Sequence, residues 1–516
     1  MAYASSSARS RFDDVAAMFW NAVDCAPETI ALIDEERSLN YEQFGTSAAV
    51  LARHLLTLLD GNERVAIHLP NSIEANVAFL ACLVAGAQAV MINPLYTEHE
   101  LVRMLNIATP KIILTLAGSE GPAMEAASRA GVDHVLVLGE GDLMLETLLA
   151  DPGPRPNVVI MPETLANTVF TGGTTGEPRG VSRSHRSLMK VTENMQAAWP
   201  ARPGEEVWLN VAPIAHVWGV HMGCLNPIYS HSPLVIVRRY KPADVLAAVE
   251  RHRVTMFSGG PSAIYVGLLA SPALEKTELS SIRVCPGGGS VFLMETLQAW
   301  EGKVGVPILE AFGMTEGGPL TANSMDGTHR YGTAGRPLPG IELQIVDIDD
   351  FERQLPAGET GEIRVRGETV VNRYWGQAAG HPDGWLATGD VGYLDEEGFL
   401  HLVDRKKDMI IVGGYNVYPS EIEEVLASHS TVAEAHVVGI PDERKGEVPV
   451  AFVILRDNSS GTTEELASAC ERKLVAYKRP RAIHLVNSIP RTPANKADKK
   501  ALSQIARSNK LEHMTY

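Results

Sequence analysis

Short β-branched runs alternate with longer helical patterns from about residue 40 to residue 310, and this alternation constrains the fold more than any other sequence feature. The clearest runs are VAIHL at 65–69, AVMIN at 89–93, KIILT at 111–115 and HVLVL at 134–138. Strands that alternate with helices predict parallel sheets covered by helices, as in the α/β class. A helix is predicted from about Ser72 through Ala85, which completes one strand–helix–strand crossover unit.

The pattern changes between about residues 332 and 404, where short strands separated by turn dipeptides predict a small antiparallel β region. Beyond Asp404, Pro419 and Ser420 precede an amphipathic helical pattern, and a compact α+β domain is predicted to begin here. We therefore predict an α/β fold in two parts. A large multi-layered N-terminal domain, residues 1–404, contains α/β subdomains and the small β region. A small mobile α+β C-terminal domain, residues 405–516, follows a short hinge.

The length and composition are those of a globular protein with more than one domain. The chain has 516 residues, of which 45% are hydrophobic and 21% are charged. The formal net charge of −17 argues against a nucleic-acid partner, because binding to a phosphate backbone needs a dense basic face. Residues 471–500 nevertheless contain nine Lys or Arg against two acids. This basic segment is either a solvated surface or a landing surface for an anionic small molecule.

Cysteine usage and apolar runs bear on the cellular compartment. The five cysteines are scattered without a paired CxxC spacing, so neither a disulfide framework nor a zinc site is predicted. Asp13 and Asp14 interrupt the stretch where a signal peptide needs an apolar run. The longest apolar run, Val77 to Ala87, is far shorter than the roughly 20 residues that cross a bilayer. We expect a cytoplasmic protein without a transmembrane segment.

The segment from Thr171 to Gly180, TGGTTGEPRG, is rich in glycine and threonine and follows a β-type run. Glycine lets backbone N–H groups and hydroxyls approach phosphate oxygens closely, and Arg179 adds a positive charge. The spacing is not that of a Walker loop. A lone TGG would be an ordinary turn, whereas the whole string favours phosphate binding.

This string resembles the phosphate-binding signature of the adenylate-forming (AMP-binding) superfamily, and the chain is most similar to the acyl-CoA synthetases. Further motifs of the family follow in the family's order. They are PIAHVWG (213–219), PGGGSV (286–291), EAFGMTEGG (310–318), GRPLPG (335–340), GWLATGDVGYLDEEGFLHLVDRKKD (384–408), GGYNVYPSEIEEVL (413–426) and PRTPANKADKKAL (490–502).

The resemblance implies a two-step reaction of an acid:CoA ligase. A carboxylate attacks the α-phosphorus of ATP and gives an acyl-adenylate and pyrophosphate; the thiol of coenzyme A then displaces AMP. The implied cofactors are ATP and Mg²⁺, with coenzyme A as co-substrate, and the implied partner is a small carboxylic acid. The acid is aliphatic, alicyclic or aromatic, and a homodimer is possible.

The resemblance also assigns the nucleotide site, residue by residue. Thr315 contacts the α-phosphate, Glu316 ligates Mg²⁺, and Asp390 accepts hydrogen bonds from the ribose with Arg405 nearby. The ATP-binding set is Thr171, Gly172, Gly173, Thr174, Thr175, Gly176, Arg179, Gly288, Gly289, Glu310, Ala311, Phe312, Gly313, Thr315, Asp390, Arg405 and Lys496.

Three of the implied residues are catalytic: Lys496, Thr315 and His216. Lys496 bridges the carboxylate and the α-phosphate, and one ammonium can neutralise both anions. His216 borders the acyl pocket with Gly313. Outside this context the lysine would be solvated surface and the histidine a core residue. His216 and His221 are five residues apart, which does not match a helical zinc pair.

The resemblance places a hinge for domain alternation at Lys407. After rotation of the C-terminal domain, further residues meet coenzyme A, which gives the basic segment a purpose. They are Gly413, Gly414, Tyr477, Arg479 and Arg481.

Four positions depart from the family's common pattern. Gly172 replaces a serine, Arg179 a lysine, Asn495 a glycine and Glu310 a frequent glutamine. Two alternatives to coenzyme A ligation stay open: transfer of the acyl group to a carrier-protein thiol, and a non-catalytic nucleotide-binding module. No carrier domain is fused here, which mildly favours coenzyme A.

Overall fold

A computed structural model describes residues 10–150, 152–171, 178–371, 374–376, 383–413, 415–442, 444–456, 459–491 and 497–508. The chain forms two compact units. One comprises Met1–Leu343 and Val365–Leu386, and the other comprises Gln344–Arg364 and Ala387–Tyr516. Strands and helices build both units, so the predicted α/β class is confirmed. The predicted domain boundary between residues 404 and 405 stays a prediction.

A six-stranded sheet forms the first layer of the first unit. In spatial order its strands are His134–Leu138, Ile112–Leu116, Arg64–Ile67, Gln88–Met91, Leu165–Thr171 and Arg179–Ser184. The first five run parallel, and the last pairs antiparallel with its neighbour. The four β-branched runs read from the sequence lie on the first four of these strands, as predicted.

The predicted crossover helix is present as Ile73–Val84. Ser72 caps it, because its hydroxyl accepts a hydrogen bond from the Ala75 N–H at 3.1 Å. Every residue of this helix is buried, which explains its mostly apolar sequence; Glu74 and Asn76 are the polar exceptions. The other α-helices of this unit are Val15–Cys25, Tyr41–Leu56, Glu98–Ala108, Glu120–Ala130, Leu145–Ala150, His185–Ala198, Val217–Val220, Asn226–Tyr229, Pro242–His252, Ser262–Leu269 and Met294–Val304.

Two further sheets complete the first unit. A five-stranded sheet has the spatial order Met256–Ser258, Trp208–Asn210, Leu234–Ile236, Ile30–Asp34 and Arg37–Asn40. A four-stranded sheet has the order Cys285–Gly288, Ile308–Met314, Gly318–Ala322 and Arg336–Pro337. Between them lies an apolar core in which Phe257 stacks on Trp300, with ring centroids 5.7 Å apart.

The second unit contains most of the small β region and the whole C-terminal α+β part. The β region is a four-stranded sheet of Ile341–Val346, Gly361–Gly367, Leu386–Leu394 and Leu400–Arg405. A second sheet contains Tyr415–Val417, Ile410–Val412, Gly446–Leu455, Val432–Asp442 and Ala482–Leu485. The α-helices are Pro419–Ala427, Thr463–Lys473 and Lys499–Ser508.

No helix among the described residues has the length and apolar character needed to cross a bilayer.

Candidate active site

The glycine-rich segment is bounded by two residues that face each other across a strand pair. Thr171 ends the strand Leu165–Thr171, and Arg179 begins the antiparallel strand Arg179–Ser184 in register with it. Residues 172–176 of the predicted phosphate-binding set lie outside the described residues. The guanidinium carbon of Arg179 lies 5.1 Å from the centroid of the Tyr374 ring, a cation–π distance. The positive charge of Arg179 is therefore held near the C-terminal end of the glycine-rich segment.

Gly288 and Gly289 of the predicted ATP-binding set lie at the carboxyl end of the strand Cys285–Gly288. Gly288, the last residue of Cys285–Gly288, is in register with Ala311 of Ile308–Met314. A Cβ on Gly288 would lie 2.7 Å from the Ala311 carbonyl oxygen, so a side chain has no room there. Gly289 follows with a φ of +85°, which favours glycine. Ligands commonly bind at such strand ends, and the flat backbone here suits a purine.

Thr315 and Glu316 form the turn of a β-hairpin between Ile308–Met314 and Gly318–Ala322. The backbone of Glu316 is fixed by the Val371 N–H, which donates to its carbonyl at 2.7 Å. The Tyr374 hydroxyl donates to its Oε1 at 2.7 Å. Burial and the neighbouring carboxylate raise the pKa of Tyr374 to about 12, so the phenol stays a donor. The Glu316 carboxylate is buried and oriented.

Glu316 fits a magnesium site of the kind the family implies. Mg²⁺ usually takes one or two carboxylates, with substrate phosphates and water completing its octahedron. A single oriented carboxylate within the same hairpin as Thr315 meets that requirement. Among the described residues no cluster of three or more His, Cys, Asp or Glu could hold a metal by itself.

His216 caps a short helix and lies at the surface. Its Nδ1 accepts a hydrogen bond from the Trp218 N–H at 3.2 Å, so the neutral ring carries its proton on Nε2. Trp218 donates from Nε1 to the Ser258 hydroxyl at 2.7 Å. Its ring lies 3.7 Å from the position that a Cβ on Gly288 would occupy. The segment of His216 thus borders the strand end that carries Gly288.

Asp390 and Arg405, the predicted ribose-binding pair, lie together in the second unit. They are register partners on the strands Leu386–Leu394 and Leu400–Arg405, and Arg405 Nε lies 2.6 Å from Asp390 Oδ1. The Asp390 side chain is 9% exposed and that of Arg405 is 50% exposed. A hydrogen bond from the Asp390 N–H to the Thr388 hydroxyl, at 3.0 Å, further fixes the strand.

The residues assigned to coenzyme A and the hinge also lie in the second unit. Gly413 forms the turn between Ile410–Val412 and Tyr415–Val417 with a φ of +59°. Tyr477 stacks on Tyr415, with ring centroids 4.5 Å apart. Lys407 is exposed on the helical turn Lys406–Asp408. Gly414 and Lys496 lie outside the described residues.

Arg479 and Arg481 already bind protein groups in this structure. Arg479 donates to the carbonyls of Leu474 at 3.0 Å and Glu471 at 3.2 Å, which closes the end of the helix Thr463–Lys473. Arg481 pairs with Asp442. Their assignment to coenzyme A stays a prediction.

Three residues of the first unit were missed from the sequence: Arg183, Trp218 and Tyr374. Arg183 and Tyr374 bond to Thr315 and Glu316 from distant positions of the chain, whereas Trp218 bonds to His216 within the motif PIAHVWG. For Arg183 the signal in the sequence was a charged residue inside the strand pattern RGVSRS, where alternate positions face the interior.

Glu310 carries a buried carboxyl on the strand Ile308–Met314. The Gly332 N–H donates to its Oε2 at 3.2 Å. Burial raises the pKa of Glu310 from 4.5 to about 8, against the opposing effect of that hydrogen bond. At neutral pH the carboxyl is therefore mostly protonated, and a glutamine would present a similar neutral group.

Glu310→Gln is expected to remove a pH-dependent loss of stability. Because the folded state holds the proton up to about pH 8 and the unfolded state releases it near pH 4.5, the contribution of Glu310 is fully present below pH 4.5 and is lost as pH rises through 8. The loss is at most about 1.4 kcal/mol per pH unit. Denaturant unfolding of both proteins at pH 6 to 9 would measure it. Parallel pH profiles would show that Glu310 is ionised in the folded state.

Comparisons with known proteins show the family to which the chain belongs. The AMP-binding enzyme family model matches residues 19–375, and the AMP-binding enzyme C-terminal domain model matches residues 421–496. The chain is 33% identical to a long-chain-fatty-acid–CoA ligase of Bacillus subtilis, covering 91% of this chain and 90% of that one. It is 31% identical to a Mycobacterium tuberculosis CoA ligase for a propanoate on a fused-ring dione, covering 93% and 96%.

A solved structure shows the same fold. ATP-bound MatB from Rhodopseudomonas palustris superposes with a TM-score of 0.87 at 28% identity, over 96% of this chain and 99% of that one. The resemblance to the acyl-CoA synthetases is confirmed, and the chain belongs to the AMP-binding enzyme family of adenylate-forming enzymes.

Proposed function

We propose that this protein is an ATP-dependent, AMP-forming acid:CoA ligase that uses Mg²⁺. The observation that carries the proposal is the convergence of the Thr315–Glu316 hairpin, the exit of the phosphate segment at Arg179 and the glycine-lined strand end at Gly288 within one unit. A nucleotide site with an oriented carboxylate and an adjacent cation matches the needs of adenylation.

In the first half-reaction the bound acid attacks the α-phosphorus and pyrophosphate leaves. Thr315 would donate to the α-phosphate, Arg179 would balance phosphate charge, and Lys496 would hold the two reacting anions together. Glu316 would hold Mg²⁺, which would supply positive charge for the leaving pyrophosphate. His216, with its proton on Nε2, would donate a hydrogen bond to the acid's carboxylate.

In the second half-reaction the thiol of coenzyme A attacks the acyl carbonyl and AMP leaves. The second unit would supply the ribose ligand Asp390 and the thiol-arm passage at Gly413, which fits rotation about Lys407 between the steps. A cytoplasmic location and a homodimer are predictions that accompany this proposal.

The names of the relatives suggest more than one class of carboxylic acid as the substrate. One relative is named for long-chain fatty acids and another for a propanoate on a fused ring, so both linear and alicyclic acids belong in a test. Pocket specificity rests on side-chain shape rather than on the family motifs.

A panel of aliphatic, alicyclic and aromatic acids tests the proposal. We expect one class to support acid-dependent exchange of labelled pyrophosphate into ATP, and the same class to give a thioester with coenzyme A. Glu316→Gln tests the magnesium role, because the amide keeps the shape of the side chain but should raise the Mg²⁺ concentration needed for exchange. Exchange without a coenzyme A thioester would favour a carrier-protein acceptor instead, and no exchange with any acid would favour a non-catalytic module.

A further inference from the structure

Arg183 is a fully buried cation within the strand Arg179–Ser184. Only 1% of its surface is exposed. Burial lowers the pKa of Arg183 to about 10, while the nearby Glu316 carboxylate opposes that shift, so the guanidinium is charged at neutral pH. Burying a charge is costly unless hydrogen bonds compensate it. The partners of this guanidinium therefore indicate what it is for.

Arg183 donates to three chain segments at once. Its Nη2 donates to the Thr315 carbonyl at 2.6 Å, and its Nη1 donates to the Thr369 carbonyl at 2.8 Å and to the Ser187 hydroxyl at 3.0 Å. Hydrogen bonds from a charged donor are stronger than neutral ones, and the planar fork fixes their directions. The residue proposed to contact the α-phosphate is thus held through its backbone by a buried arginine.

Val371 and Tyr374 also bond to Glu316 of the same hairpin turn. The Val371 N–H donates to the Glu316 carbonyl at 2.7 Å, and the Tyr374 hydroxyl donates to the Glu316 carboxylate at 2.7 Å. The Trp375 N–H then donates to the Gly180 carbonyl at 2.8 Å. By bonding both Thr315 and Thr369, Arg183 ties the turn to residues 369–371, where the Val371 N–H bonds the Glu316 carbonyl.

The charge of Arg183 also acts on its surroundings. Burial, with the guanidinium as a second cause, lowers the pKa of His221 well below its ordinary value, so that ring is neutral. His221 Nδ1 shares a hydrogen bond of 3.1 Å with the Thr192 hydroxyl. The carboxylate of Glu316 is the charge that favours the charged form of Arg183. The neutral imidazole of His221 adds no second positive charge beside it.

We propose that Arg183 is a positioning residue for adenylation: it fixes the backbone of the Thr315–Glu316 turn and couples it to residues 369–371, without itself touching ATP or the acid. The inference rests on the proposed roles of Thr315 and Glu316. Displacement of a reacting group by about 1 Å can cost roughly 100-fold in rate. A buried arginine that prevents such a displacement therefore has a kinetic role as well as a structural one.

Arg183→Lys tests the proposal. The ammonium keeps the charge but cannot reach both carbonyls in a planar fork. We expect the turnover of acid-dependent pyrophosphate exchange to fall at least tenfold and the Mg²⁺ concentration for half-maximal rate to rise several-fold, with KM for the acid unchanged. Thermal unfolding and circular dichroism establish that the variant is folded.

Arg238→Lys is the matched control. Arg238 donates through Nε and Nη2 to the two oxygens of buried Asp34, at 2.7 and 2.9 Å, far along the chain from the hairpin. It should lower the thermal midpoint without changing turnover or the Mg²⁺ requirement. If Arg183→Lys behaves in the same way, the residue is structural only and the proposal is wrong.

A double variant separates this proposal from the proposed function. Adding Arg183→Lys to Glu316→Gln should cost much less than it does in the wild type, because the turn it positions has already lost its carboxylate. A full-sized additional loss would overturn the positioning role. If Thr315→Ala and Glu316→Gln retain wild-type exchange, the proposed roles of the hairpin fail, whatever Arg183→Lys does.

Discussion

Lys496→Ala is expected to abolish acid-dependent pyrophosphate exchange while largely sparing thioester formation from supplied acyl-adenylate. In the first step the acid's carboxylate and the α-phosphate are two anions that repel as they approach, and one mobile ammonium can neutralise both. Losing such a group costs about 10² to 10³ in rate. In the second step the carboxylate negative charge is gone, because the acyl group is already joined to AMP as a mixed anhydride.

The two half-reactions are measured separately, exchange with acid and ATP, and thioester formation with synthetic acyl-adenylate and coenzyme A. Lys500→Ala is the control, because Lys500 is an exposed lysine of the same basic segment. It should leave both rates near those of the wild type. Equal loss of both activities in Lys496→Ala would contradict a lysine that serves only adenylation.

The sequence predicts the helices and strands around the site well, because secondary structure and family motifs depend on residues close together in the chain. The strand runs and the helix capped by Ser72 follow from periodicity and capping chemistry over a dozen residues. The family motifs likewise predict the roles of Thr315 and Asp390 from local sequence alone. The contacts that orient these residues are not local: Arg183 reaches the Thr315 carbonyl across 132 positions, and Tyr374 reaches Glu316 across 58.

The basic segment 471–500 shows the same limit for charge. Its local excess of Lys and Arg predicts either a solvated surface or a landing surface for an anion, but folding also brings carboxylates from earlier in the second unit to these cations. The ion pairs are Lys478 with Glu421 at 2.6 Å, Arg481 with Asp442, Arg491 with Glu434 at 2.7 Å and Lys499 with Glu423 at 3.1 Å. A charge count along the sequence does not include these partners, so it overstates the net positive surface.

Gly313→Ala is expected to impair both stability and adenylation. Gly313 precedes the Thr315–Glu316 turn by two residues and lies opposite Pro319, at an irregular point in the strand pairing. A Cβ there would lie 2.3 Å from the Gly318 carbonyl oxygen and 2.8 Å from the Pro319 Cα, and these backbone atoms cannot rotate away as a side chain can. The two strands must separate, at a cost of about 1–3 kcal/mol.

That separation moves the turn itself, since the turn joins the same two strands, and a shift of about 1 Å at a reacting group lowers the rate roughly 100-fold. Gly302→Ala makes the same chemical change within the helix Met294–Val304, where no described atom beyond the adjoining helix lies within 4 Å of the added Cβ. It should be neutral or stabilising by up to about 1 kcal/mol. Denaturant unfolding and pyrophosphate exchange of both variants decide the matter. Wild-type exchange in a destabilised Gly313→Ala would show that the hairpin turn tolerates displacement. That result would contradict the claim that adenylation requires rigid placement of Thr315 and Glu316.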